Sequence, residues 1–275
     1  MILLISDTYY RHLDGNHKLI RWRFVVHGGI DGFSRTVVFL KVAPNNLSST
    51  VLDLFQSATH VFHYPRRIRT DHGTENVAVA REMLHRYGPS SNPVITGQSV
   101  HNQRIERLWR DVFTFVLTYY KNIFYYLESQ QMLNPDDEVH VYALQYIYLP
   151  RINKALDHFV SQWNNHPLSS EGNRSPLQRW TEGFYQFANS DYTTVRELLD
   201  PNNTNFLLYG IDDDAPLPDL QTRNDVQVPR SAVELSGNEY NFLVNLVDPL
   251  SNDQNDGITL YEEVERNVRE ILLQQ

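Results

Sequence analysis

The sequence contains no cysteine, which excludes disulfides, thiolate nucleophiles, iron–sulfur clusters and every zinc site built on Cys ligands. It also lacks a long apolar run. Stretches such as residues 24–26 and 37–40 fall far short of the ~18 residues that cross a bilayer, so no membrane partner is expected. Residues 1–7 carry no basic group and too short an apolar segment for a secretory leader, so secretion is not expected either. Any metal must then be held by Asp, Glu, His or backbone oxygen. What is present is ample apolar material, 41% of 275 residues, enough for a real core.

The net charge of -9 would argue against a nucleic-acid partner if it were spread evenly, but it is not. Residues 1–120 are net +5, residues 121–180 net -1 and residues 181–275 net -13. A basic front can meet phosphate where an acidic back would repel it, so local field rather than net charge governs the choice of partner.

Patterning predicts an alternation of strands and helices. Residues 11–22 mix apolar and polar positions like a half-buried strand; residues 24–27 and 36–41 are β-branched or aromatic runs, with Gly28-Gly29 and Asp31-Gly32 as turn signals between them. An antiparallel meander is expected. A helix is predicted from Val51 to Val61 behind capping candidates at residues 45–50, then a short strand over 66–70 and a helix over 75–87. Residues 88–101 read as a loop. From about 102 to 126, Ile105, Leu108, Trp109, Val112, Phe115, Val116 and Tyr119 recur at helical spacing, with Glu106 and Arg110 off that face. A second long helix is expected over 148–164, with Pro150 in its first turn. Further on, residues 212–218 read as a linker, 226–228 as an edge strand and 258–273 as a helix.

With 33 acidic residues, spacing alone cannot mark a site, so context has to. Asp14 lies inside the first strand, Asp71 ends a later one, and Glu106 lies on the polar side of the long helix. Carboxylates so placed can converge. Their hard oxygens suit magnesium or manganese, and a pair of such ions can clamp the attacking and leaving oxygens of an in-line phosphoryl transfer.

Four ordered motifs carry a family resemblance: His12-Leu13-Asp14-Gly15, Ile30-Asp31-Gly32-Phe33-Ser34-Arg35, residues 69–76 (Arg-Thr-Asp-His-Gly-Thr-Glu-Asn) and residues 102–109 (Asn-Gln-Arg-Ile-Glu-Arg-Leu-Trp). Together with Trp163-Asn164-Asn165-His166-Pro167 and Ser175-Pro176, they resemble the integrase catalytic cores of retroelements and DNA transposons, most closely those encoded in animal genomes. The resemblance spans residues 9–180 and leaves 181–275 as an acidic C-terminal helical appendage of unassigned role.

The resemblance implies an α/β RNase H-like fold with a mixed five-stranded sheet flanked by helices. It implies a D,D,E triad of Asp14, Asp71 and Glu106 holding two Mg2+ or Mn2+ ions, with Asp14 bridging both, and DNA 3′-end processing and strand transfer as the chemistry. DNA as partner, a homo-oligomer and nuclear residence follow from the same source. Asn102 and Arg110 share a helical face with Glu106, and with the strand-borne Lys18 they are candidates for binding nucleic acid. Only 13 residues precede Asp14, so the zinc-binding and helix-turn-helix modules that integrases commonly carry are not expected there.

Two rival readings stay open: a catalytically silent, domesticated core acting as a nucleic-acid or protein binding module, and a nuclease acting on RNA in hybrids. Blander readings also stand beside individual residues. Asp14 and Asp71 could be turn formers, Glu106 a solvated helix residue, and Lys18, Asn102 and Arg110 plain surface. Asp31 is read as a hairpin turn residue, His12, His17 and His72 as packing groups, and residues 252–257 as a turn before a helix rather than a calcium loop.

Overall fold

The computed structural model describes residues 10–71, 73–96, 103–188, 226–229 and 231–274. Strands β1 (Tyr10–Asn16), β2 (Val25–Asp31) and β3 (Val37–Ala43) form the antiparallel meander; β4 (Arg67–Thr70) and β5 (Val94–Thr96) join in parallel, giving the order β3-β2-β1-β4-β5. The sheet is therefore mixed and five-stranded, as expected.

Helices α1 (Ser48–Phe62) and α2 (Val77–Tyr87) cover one face, where Val51, Phe55, Val79 and Met83 pack on Leu13, Val38, Phe39 and Ile68. The other face meets α3 (Gln103–Val112), α4 (Thr118–Ser129) and α5 (Glu138–Asn165) through a larger cluster that includes Phe24, Val26, Ile30, Leu108, Val112, Phe124, Leu144 and Ile152. That cluster continues into Leu243 of α7 (Gly237–Leu246) and Tyr261, Val264 and Val268 of α8 (Ile258–Gln274). Helix α6 (Pro176–Ala188) opens on a capping box, in which Ser175 Oγ accepts from Gln178 N–H and Gln178 Oε1 from Ser175 N–H.

The edge of β3 is closed by side chains of α5. Asn153 accepts from Val42 N–H at 3.0 Å and donates to Val42 O, while Asn164 accepts from Val37 N–H at 2.9 Å and donates to Val37 O. Eleven residues of helix and five of strand both span about 16.5 Å, so the two amides match the two strand positions. Positions five apart on a strand normally face opposite edges. A bulge corrects the parity: Gly29 pairs with Phe39 and Ile30 with Val37, leaving Val38 over, and Val38 and Phe39 accordingly pack on the same face.

Several expectations are corrected. The first strand stops at Asn16, and residues 20–22 form a 3-10 turn. Gly28-Gly29 is not a turn but the middle of β2. Val94–Thr96, inside the expected loop, is the edge strand β5. The helix expected over 75–87 begins at Val77, after a 3-10 turn. Helix α5 begins ten residues before the expected start, with Asp137 accepting from the N–H groups of Val139 and His140, so Pro150 lies in its interior. Phe115 and Tyr119 are 73% and 49% exposed because residues 113–117 form a π-turn, whose extra residue rotates the buried stripe onto Val116, Tyr120, Ile123 and Leu127. Residues 226–228 are not a strand. The expected linker over 212–218, with Asn102 and His72, lies outside the described residues.

Candidate active site

Continuing the parallel register of β1 and β4, which pairs His12 with Arg69, brings Asp71 level with Asp14. Across the sheet Asp14 pairs with Gly28, and the reason for glycine there is steric: a Cβ would lie 2.6 Å from Cη2 of Trp109. The indole lies over that bare backbone, and its Nε1–H donates to Asp14 Oδ2 at 2.7 Å. Trp109 reads in the sequence as a core residue. Its orienting bond depends on a strand 95 positions away, which helical spacing does not reveal.

Asp71 is fixed by its own loop. Its Oδ1 accepts from Gly73 N–H at 3.1 Å and from Asn76 Nδ2–H at 3.2 Å. Glu75 folds back over the same loop, buried, with its carboxylate 2.3–2.5 Å from where a Cβ on Gly73 would stand, so a side chain there would have to displace that carboxylate. Nearby, burial holds the His17 ring below its ordinary pKa while the charge of Asp71 pulls it upward.

Glu106 stands exposed on the first turns of α3. Asp14 nevertheless feels the charge of both other carboxylates. Burial pushes the Asp14 pKa up to about 7; the Trp109 bond opposes this, Asp71 adds to it, the Gly15 backbone opposes it, and Glu106 adds a smaller increment. An all-carboxylate donor set has the chemistry that accepts a hard divalent cation. Among the described residues, no group of three His, Asp or Glu side chains stands close enough to hold one as placed.

A family model described as "Integrase core domain" matches residues 7–194. The chain belongs to the integrase core domain family. No curated protein matches it. Among solved structures, the integrase core is similar to a chain of the simian T-cell lymphotropic virus intasome in complex with PP2A regulatory subunit B56 gamma, at 17% identity and a TM-score of 0.44, covering 63% of this chain and 54% of that one. It spans, then, about half the length of that relative. The HTLV-2 integrase catalytic core domain in complex with magnesium, in its trimeric form, gives 17% identity and 0.41, covering 62% and 95%. The catalytic core domain of BIV integrase gives 13% and 0.45, covering 65% and 97%.

Around the three carboxylates, the basic residues divide. Lys18 is exposed, and Arg110, with a side chain 71% exposed, lies 3.7 Å from Asp111. Arg21 and Arg23 are engaged by Glu128 and Glu138, both at 2.7 Å, and Arg67 is buried, donating to Tyr10 OH. Asp31 is a turn residue: Oδ1 accepts from the N–H and the hydroxyl of Ser34, both at 2.7 Å. Asp253, within the loop that superficially suggests calcium, accepts from the N–H groups of Asn255, Gly257 and Thr259 and so opens α8.

Proposed function

We propose that the chain is a metal-dependent polynucleotidyl transferase that processes DNA 3′ ends and transfers strands, through Asp14, Asp71 and Glu106. The observation that carries this reading is a buried carboxylate, Asp14 on β1, held by the Trp109 indole and level in register with Asp71 at the end of β4, its pKa raised to about 7 by burial with smaller contributions from the charges of Asp71 and Glu106. Structural carboxylates are ordinarily matched to cations, whereas clustered acids belong to sites that receive a charge. Asp14 would bridge two magnesium or manganese ions, with Asp71 and Glu106 each holding one; such ions neutralise developing charge and activate water or a 3′-hydroxyl.

The chain's own groups set the stage. Trp109 holds the Asp14 carboxylate in one orientation, the Gly73 and Asn76 donors hold Asp71, and the exposed Glu106 would supply the third carboxylate to a bound ion. Lys18, Asn102 and Arg110 would contact the DNA, in a homo-oligomer.

One observation favours a silent core acting as a binding module: no three acids are preassembled among the described residues. Incubating the chain with labelled duplex DNA and with an RNA–DNA hybrid, in magnesium and in manganese, separates the readings. Cleavage and joining of duplex ends is the expected result. Cleavage confined to the hybrid would make the protein a different nuclease, and binding without cleavage would favour the silent core.

A further inference from the structure

A second charged cluster lies away from the three carboxylates, where the β2–β3 turn meets the start of α6. Glu171 holds two guanidinium groups at once, Arg35 Nη2 at 3.0 Å and Arg179 Nη2 at 3.2 Å, and its backbone oxygen accepts from Arg174 Nε. Arg174 in turn reaches Glu182 at 2.6 Å. Three arginines thus share two carboxylates.

Arg179 is the floor of this cluster. It is only 7% exposed, its guanidinium lies 4.7 Å over the ring of Phe33, and its Nη1 has no hydrogen-bond partner; neither has the buried Nε of Arg35. A buried charged donor without an acceptor is destabilising, and three guanidinium groups face two carboxylates, so the arrangement is short of an anion. Burial lowers the Arg179 pKa; Glu171 opposes the shift, and the charges of Arg35, Arg174 and Arg104 reinforce it. Arg35 and Arg174, with side chains 27% and 51% exposed, form a rim open to solvent.

We propose that Arg35, Arg174 and Arg179 form a phosphate cradle that takes a backbone phosphodiester of the nucleic-acid substrate away from the carboxylates. Planar guanidinium groups match phosphate oxygens in pairs, and a phosphate seated at the exposed Arg174 rim would add the negative charge that two carboxylates do not supply to three guanidinium groups. The proposal deepens the DNA-processing reading and rests on it for the identity of the ligand, since a free phosphate presents the same oxygens.

The test uses the full chain in chelator, so catalysis plays no part. Duplex affinity is measured by fluorescence anisotropy across a salt series, and thermal protection by inorganic phosphate is measured against chloride at matched ionic strength. Arg174→Gln, at the rim, and Arg35→Gln are compared with wild type; their melting temperatures report any loss of fold, and Arg174→Lys separates charge from paired geometry. The expected result is duplex binding roughly threefold to tenfold weaker in the glutamine variants, a log–log salt slope shallower by about one, and loss of phosphate protection. Unchanged affinity and slope in both variants would overturn the cradle and leave the DNA reading standing. Arginine-dependent phosphate protection without duplex binding would keep the cradle, assign it to free phosphate and remove the DNA reading.

Discussion

Asp14 makes the fold pH-sensitive. Its folded pKa of about 7 lies above the ordinary 3.8, so between these values the native state keeps a proton that the unfolded chain has lost, and stability falls as pH rises across that window. In chelator, Asp14→Asn is therefore predicted to melt higher than wild type at pH 8, by free energy on the order of 4 kcal/mol at most, with the difference vanishing near pH 4. Melting curves across that range check it; a variant less stable than wild type at pH 8 contradicts the burial argument. Trp109→Phe removes the donor that lowers the Asp14 pKa, so the acid limb of the pH–rate profile should move upward and processing slow roughly tenfold. An unmoved limb would mean that the bond does not orient the carboxylate. At this scale the sequence motifs pointed to Asp14, Asp71 and Glu106, because strand ends and a helix face are readable locally. Trp109 and Arg179 were not legible as polar-site residues, since Trp109 meets the distant Asp14 and Arg179, beside the nearby Glu171, lies over the distant Phe33 and shares that carboxylate with the distant Arg35.

Among the elements, the β3 edge shows how the Trp163-Asn164 motif works mechanically. Trp163 Nε1–H donates to Arg35 O, and Asn164 occupies both backbone groups of Val37. Asn164→Ala strips both from a buried edge and should cost about 1–3 kcal/mol, read from urea unfolding with an unchanged m-value. A cost near zero would mean that water replaces the amide. The motif was visible in the sequence, but the bulge at Val38 that aligns it was not, because a bulge leaves no composition signature. The same limit applies to the π-turn, which exposed Phe115 against a regular helical period, and to the start of α5, where Pro150 signals a first turn but occupies the interior.

For the whole molecule, composition marked residues 181–275 as acidic and different, and helical spacing correctly placed α8. Spacing alone did not say what its apolar stripe meets. Tyr261, Val264 and Val268 enter the cluster shared with α5 and the sheet, Tyr261 OH donates to Met132 O, and Arg269 pairs with Asp137 at 2.8 Å, while Glu262 and Glu270 stay exposed. A helix so inserted melts with the core. Val264→Asp should lower stability by roughly 3–5 kcal/mol through a buried unpaired charge, with near- and far-ultraviolet circular dichroism falling together. Loss of α8 signal alone, with the core transition unmoved, would contradict the shared core.

Whether Glu106 completes a metal site with Asp14 and Asp71 is tested most directly by 3′-end processing of labelled duplex DNA in magnesium and manganese by wild type and Glu106→Gln. The substitution keeps the shape of an exposed side chain and removes its charge, so the fold should be unaffected. The account predicts processing by wild type and a loss of at least about 100-fold in the variant, with duplex binding retained. Equal processing by the two proteins would contradict it.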